Sequence, residues 1–293
     1  MTQADTLRFL GAGSRDGHPD VVLFGVPFDA TASFRPGARF GPAAIRIWSD
    51  VLETYSPAFD ADLEDVHLVD SGDLQIPVTG FEQLSGEVRR KVKEVLRSGG
   101  RPLMMGGEHL VTLPAVEECL EMYADLKVLQ LDAHLDRREE YQGVIFSHAT
   151  VMKRIRDRLG KGRLLQFGVR SGTREEWEEA REEGAVVHDP GRLRASLGEG
   201  PVYLSVDLDV LDPSVMPETG TPEPGGLTFE QLQEVLLSLR GMNIIGADVV
   251  EYCPPPAGGG PSGAVAAKVV REMVLLMAEG PKGTKYREPG TRG

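Results

Sequence analysis

Six residues of this chain have the types and spacing to hold cations: His109, Asp132, His134, Asp136, Asp207 and Asp209. Three of them recur two apart in Asp132-Ala-His-Leu-Asp136, at the end of the apolar run Val128 to Asp132. In extended backbone alternate side chains share one face, so two carboxylates and an imidazole would converge. That is metal-ligand chemistry, and an Asp-rich turn after a strand is the plain alternative. A second constellation, Val202-Tyr-Leu-Ser-Val-Asp-Leu-Asp-Val-Leu-Asp-Pro213, repeats the design with Asp207 and Asp209, while Asp212 before Pro213 reads as a turn or cap residue. His109 follows Gly106-Gly107 at the end of a third apolar run, as if the backbone must turn sharply to aim it.

Four carboxylates at close range in a poorly solvated site raise one another's pKa or push the fold apart unless positive charge accompanies them. Two divalent cations balance them, and six ligands shared between two ions leave room for a bridging water. An oxygen-rich set with two imidazoles and no thiolate suits Mn²⁺ better than structural zinc.

The elements that must position these groups alternate along the chain. Strands are predicted at Val21–Val26, Val66–Val69, Pro102–Met105, Val128–Asp132, Leu164–Phe167, Ala185–Val187, Val202–Asp207 and Ile244–Val249. Helices are predicted at Pro42–Trp48, Phe81–Leu96, Leu113–Met122, Ser147–Arg158, Arg174–Glu183, Phe229–Leu239 and Val265–Met277. Eight nearly all-apolar strands separated by helices call for a sheet buried on both faces, hence an α/β fold: a three-layer α/β/α sandwich on a mainly parallel eight-stranded sheet. A closed eight-stranded barrel is the alternative. In such open sheets functional groups gather beyond the carboxyl ends of the strands, where the six candidates fall.

With 293 residues and no linker or repeat, one domain over 1–279 is expected, with a polar, flexible tail at 280–293. A net charge of -13 disfavours nucleic acid and anionic membrane as partners but not a small cation. The two cysteines, Cys119 and Cys253, cannot make a disulfide framework and read as buried small hydrophobes. The sequence has no apolar run of membrane-span or signal length, which makes the cytoplasm the expected location.

Taken in order, Gly106-Gly-Glu-His109, Asp132-Ala-His-Leu-Asp136, Ser205-Val-Asp-Leu-Asp209 with Asp212-Pro213, Thr219-Gly-Thr-Pro-Glu-Pro-Gly-Gly226 and Gly246-Ala-Asp-Val-Val-Glu251 resemble the successive motifs of the ureohydrolase family of arginases and agmatinases. Pro36-Gly-Ala-Arg-Phe-Gly-Pro42 resembles its N-terminal signature. The match runs from about residue 21 to 278. Leu110, Glu218 and Cys253-Pro-Pro-Pro256 depart from the usual pattern and bear on loop geometry and substrate fit.

The resemblance implies an arginase-like fold, two Mn²⁺ ions, a homo-oligomer (trimer or hexamer), and hydrolysis of a guanidinium group to urea and an amine. His148 corresponds to the family's active-site histidine and could pass a proton to the leaving amine. Glu251 would pair with the guanidinium; taken alone it reads as a surface carboxylate. His18, His67 and His188 are left structural. Family arginases hold arginine's α-amino-acid head with Asn, Thr and Ser after the D-x-H-x-D motif, whereas here the loop reads Arg137-Arg-Glu-Glu-Tyr-Gln-Gly143. Glu139, Glu140 and Tyr141 are expected to receive a cationic tail, which makes agmatine the preferred substrate, with putrescine the product and polyamine biosynthesis the setting. Alternatives are aminopropylagmatine, arginine, and guanidinobutyrate gripped by Arg137 or Arg138. Outside the class stand a metal hydrolase of another substrate and a metal-binding regulatory protein without catalysis.

Overall fold

The computed structural model describes residues 7–12, 17–76, 80–256 and 260–281. Apolar, β-branched runs bounded by Gly and Pro give the strands: β1 (Val21–Val26), β2 (Tyr55–Ser56), β3 (Ala61–Asp62), β4 (Leu68–Asp73), β5 (Arg101–Gly106), β6 (Lys127–Leu131), β7 (Leu164–Phe167), β8 (Val186–Val187), β9 (Val202–Asp207) and β10 (Ile244–Val250). Between them lie α1 (Gly41–Ser49), α2 (Phe81–Arg97), α3 (Thr112–Met122), α4 (Val151–Leu159), α5 (Arg174–Glu182), α6 (Pro190–Leu197), α7 (Phe229–Ser238) and α8 (Ser262–Glu279).

Eight strands form one sheet in the order β4-β1-β5-β10-β9-β6-β7-β8, and every pairing in it is parallel. Among the described residues β4 and β8 do not pair with each other, so the sheet is open and the barrel alternative is excluded. Neighbouring side chains on a strand go to opposite faces. Val21 and Leu23 join α7 and α8 side chains such as Leu232 and Met273 in one core, whereas Phe24 and Val26 join Leu84 of α2 and Leu113 of α3 in another. This is the three-layer sandwich.

β2, β3 and α6 have no counterpart among the predicted elements. β2 and β3 make a two-stranded antiparallel hairpin, and α6 follows Asp189, whose carboxylate accepts from the Gly191 N–H, with Pro190 in the first turn. The Asp-Pro pair is a helix-start signal carried by the sequence itself. Of the expected tail, all but Gly280 and Pro281 lies outside the described residues. No helix among the described residues is long and apolar enough to cross a membrane.

The order of the sheet decides where the site falls. β5, β10, β9 and β6 are contiguous, so the segments that leave their carboxyl ends, carrying His109, Glu251, Asp207 with Asp209, and Asp132 to Asp136, rise side by side. The chain jumps across β10 and β9 between β5 and β6, which makes this the crevice where open parallel sheets place their ligand sites.

Candidate metal centre

The carboxylates reach the site by turns and not by strand alternation. β6 ends at Leu131, and Asp132 Oδ1 accepts from the His134 N–H at 2.6 Å. Asp207 Oδ1 likewise accepts from the Asp209 N–H at 2.9 Å as the chain enters a 3₁₀ turn. Each is the self-turning hydrogen bond to which Asp is suited, and it corrects the expectation of an extended D-x-H-x-D. Asp136 completes its turn with a left-handed φ of 52°. Asp209 Oδ1 accepts from the Ala133 N–H at 3.0 Å, tying the β9 loop to the β6 loop.

Gly107 is also explained differently. Its constraint is close approach and not a left-handed turn: a Cβ there would lie 1.8 Å from the Phe28 carbonyl oxygen. Backbone bonds from Gly107 N–H to Val26 O and from Glu108 N–H to Phe28 O then fix the turn that presents His109.

The result is two overlapping ligand groups. His109, Asp132 and Asp207 form one, Asp132, His134 and Asp209 the other, and within each group the ligand atoms lie within 4.8 Å of one another. Asp132 is common to both. Asp136 Oδ2 is 3.2 Å from His109 Nδ1, beside the first group. All six sequence candidates are thus brought together.

The donor chemistry fits cations. Ser205 Oγ–H donates to Asp248 Oδ1 at 2.6 Å, so Ser205 Oγ accepts from His109 Nε2 at 2.9 Å. In the neutral imidazole Nδ1 is then the unprotonated nitrogen. It faces carboxylate oxygens of Asp132, Asp136 and Asp207 at 3.0, 3.2 and 3.2 Å, and it is buried without a hydrogen-bond partner. A lone pair aimed at three anions is repulsive until a cation sits between them.

The titration behaviour tells the same story. Two ionised carboxylates with oxygens about 4.8 Å apart, the outer limit within each group, repel by on the order of 3 kcal/mol even at an effective dielectric near 20. Burial, followed by the Asp132 charge, pushes Asp136 up to about 6. Burial and the Asp209 charge hold Asp207 well above the usual carboxylate range, and Asp209 is raised by burial and Asp132. Burial would lower the imidazoles, yet the surrounding carboxylates outweigh it and push His134 up to about 12. Without cations the site collects protons, as a cavity short of positive charge must.

Around the centre lies a cavity of about 280 Å³ lined by Ser33, Arg138, Tyr141, His148, Thr173 and Glu251 among others. Glu251 follows β10 with a strained φ of 64°, and its Oε1 accepts from the His109 N–H at 2.8 Å. Burial, followed by the neighbouring Glu108, pushes its carboxyl up to about 8. His148 begins a 3₁₀ turn ahead of α4, secured by a capping box between Ser147 and Thr150. Burial, followed by the His109 and His134 charges, lowers His148 to about 4.

The loop residues separate sharply. Tyr141 lines the cavity with its ring edge-on to His148, centroids 5.6 Å apart. Glu139 turns away: its side chain is 74% exposed and pairs with Lys153 at 2.8 Å and Arg154 at 3.2 Å. Glu140 is exposed and does not line the cavity. Arg137 is buried against Gln166 and Glu183, while Arg138 lines the cavity with its guanidinium 5.1 Å from the Tyr141 ring centroid. From this loop the cavity therefore receives the charge of Arg138, whose Nε is 3.9 Å from the Glu176 carboxylate, while α4's Lys153 and Arg154 hold Glu139 away. Cys253 is half-buried beside the Pro36 carbonyl, a partial correction to the expectation of two buried thiols; Cys119 is buried.

Arg170 was missed altogether. Its guanidinium donates to the carbonyl oxygens of Asp209 and Glu223, each at 2.7 Å, and to those of Gly168 and Val210 at 3.2 Å. One side chain thus clamps the loop carrying Asp209 to the Thr219–Gly226 loop. No motif spacing points to it, since its partners are backbone atoms. Asp212 behaves as expected of a cap, with Ser214, Gly225 and Gly226 N–H groups donating to it.

Known proteins resemble this chain over most of its length. The agmatinase of Bacillus anthracis is 39% identical over 264 residues, covering 87% of this chain and 91% of that one. The mitochondrial guanidino acid hydrolase of Homo sapiens is 32% identical over 275 residues, 88% of this chain and 78% of its own. The crystal structure of agmatine ureohydrolase from Thermoplasma volcanium superposes with a TM-score of 0.83 at 29% identity, covering 94% and 96% of the two chains. The family model described as Arginase family matches residues 19–276, so this chain, with its paired ligand groups at the heart of that span, belongs to the arginase family.

Proposed function

We propose that this chain, with one catalytic domain over 1–279, is a binuclear manganese ureohydrolase acting on agmatine, releasing urea and putrescine. The observation that carries it is the pair of ligand groups sharing Asp132 in one cavity with Glu251 and His148. His109, Asp132, Asp136 and Asp207 would hold one cation, and Asp132, His134 and Asp209 the other. When bound, the metal pair supplies the charge that makes a water acidic enough to attack near neutral pH.

Glu251 receives the guanidinium. The His109 N–H fixes one of its oxygens, the strained backbone fixes its direction, and a cationic substrate brings the charge that burial of this carboxylate calls for. His148, buried enough to be neutral at pH 7, sits on the same cavity wall; its Nε2 takes a proton from the attacking water and passes it to the leaving nitrogen. Tyr141 packs on His148 and narrows the space for the substrate's chain.

Agmatine is favoured by the agmatinase relative. A second reading, a guanidino acid such as guanidinobutyrate, is favoured by Arg138 on the cavity wall, because a guanidinium attracts a carboxylate tail and repels an ammonium. Urea release from agmatine, aminopropylagmatine, guanidinobutyrate and arginine, for the native chain and for Arg138→Ala, decides between them. We expect the highest kcat/KM for agmatine and no loss with that substrate in Arg138→Ala. Preference for guanidinobutyrate, lost by about tenfold or more in the variant, would establish the guanidino acid reading instead.

A further inference from the structure

Glu108 stands one residue before His109 and is 1% exposed. Both its oxygens are committed to Thr31: Oε1 accepts from the Thr31 hydroxyl at 2.6 Å and Oε2 from the Thr31 N–H at 2.8 Å. With Glu108 ionised, Thr31 Oγ1 spends its only proton on that carboxylate, so toward His148 it can only accept. It does so twice, from the His148 N–H at 3.1 Å and from Nδ1 at 3.3 Å. The remaining ring nitrogen, Nε2, lies 3.2 Å from Ser33 Oγ, whose hydroxyl can donate to it.

We propose that Thr31, backed by Glu108, is a positioning residue that keeps the proton of neutral His148 on Nδ1 and leaves the Nε2 lone pair in the cavity for proton transfer. The loop bearing Thr31 is itself held in place. Asp29 Oδ2 accepts from the Gly37 N–H at 2.8 Å, and the Glu108 N–H donates to Phe28 O at 2.8 Å. One turn after β5 therefore serves two ends: its His109 faces the metal centre and its Glu108 orients, through Thr31, the histidine across the cavity. Sequence offered no sign of the link, because 117 positions separate Thr31 from His148. The role rests on the ureohydrolase reading of His148.

The test is Thr31→Val, which keeps the shape and deletes the acceptor, set beside Thr31→Ser, which restores it. In the manganese-loaded enzyme Thr31→Val should lower kcat about tenfold or more and leave KM within about twofold, and Thr31→Ser should recover most of the loss. On the full-length metal-free chain with ¹⁵N-labelled histidines, at a pH well above the value of about 7 to which burial raises Glu108, the His148 ring should carry its proton on Nδ1, and Thr31→Val should move population to the Nε2–H form. Labelling is tractable because the chain has 6 histidines, and the His148→Asn spectrum assigns the signal. An unchanged kcat or an unchanged tautomer in Thr31→Val overturns the proposal. Should Thr31→Val fail to fold, Glu108→Gln puts the same two readouts on the other end of the link. His148→Asn keeps the two claims apart: full urea release from it would sink the role given to His148, while a tautomer indifferent to Thr31 would sink only the positioning role.

Discussion

At the scale of single residues, the cavity's electrostatics make a prediction of definite sign. Burial pushes Glu108 up to about 7 and, with Glu108 beside it, Glu251 up to about 8; His134 is pushed up to about 12 against its burial by Asp209 and Asp132. Each raised group binds a proton in the folded metal-free protein that the unfolded chain has already released above pH 6.5, so its stabilising contribution is lost as pH climbs through the folded value. His148, lowered to about 4, acts in the opposite direction only below pH 6.5. The melting temperature of the chelator-treated protein should therefore fall between pH 6.5 and 8 by about 4 °C or more. Saturating Mn²⁺ should remove the slope, because the cation replaces the protons; a flat or rising melting curve for the metal-free protein would contradict this assignment of charge. The ligands were legible in sequence because Asp and His at fixed short spacing have few other uses. The charged residues of the Arg137–Gly143 loop were less so: Tyr141 lines the cavity as expected, but which of Arg137, Arg138, Glu139 and Glu140 enters it depends on partners outside the loop, Lys153, Arg154, Gln166 and Glu183.

At the scale of elements, strand and helix positions followed from apolar runs and Gly/Pro punctuation, and β7 and β9 match their predicted limits. Turns were less legible. The spacing of Asp132, His134 and Asp136 suggested an extended strand, whereas side-chain-to-backbone bonds end the strand at Leu131 and gather the ligands. Asp209's loop depends further on the Arg170 clamp, whose planar fork reaches six carbonyls at once. Lysine presents donors from a single nitrogen and cannot bridge both loops. Arg170→Lys should weaken metal binding by roughly tenfold to a hundredfold, the usual cost of losing a group that orients a ligand. A competition titration with a chromophoric chelator reads this directly, and native affinity in the variant would show that the Asp209 loop holds itself.

At the scale of the whole molecule, the parallel sheet sets the site. Its order juxtaposes β5, β10, β9 and β6, and no sequence pattern gives strand order, since most of the eight sheet strands read alike as buried apolar runs. The motifs were nevertheless sufficient for the fold class, because alternating strands and helices with functional residues at strand ends admit few architectures. The acidic balance of -13 suits an enzyme that draws cations, both metal and guanidinium, into a carboxylate-lined cavity. The most direct test of that account is urea release from agmatine by the metal-depleted chain as Mn²⁺ is added back. The expected result is no urea without metal and a rise to a plateau at about two ions per chain, matching the two ligand groups that share Asp132; full urea release from a chain holding no metal would contradict it.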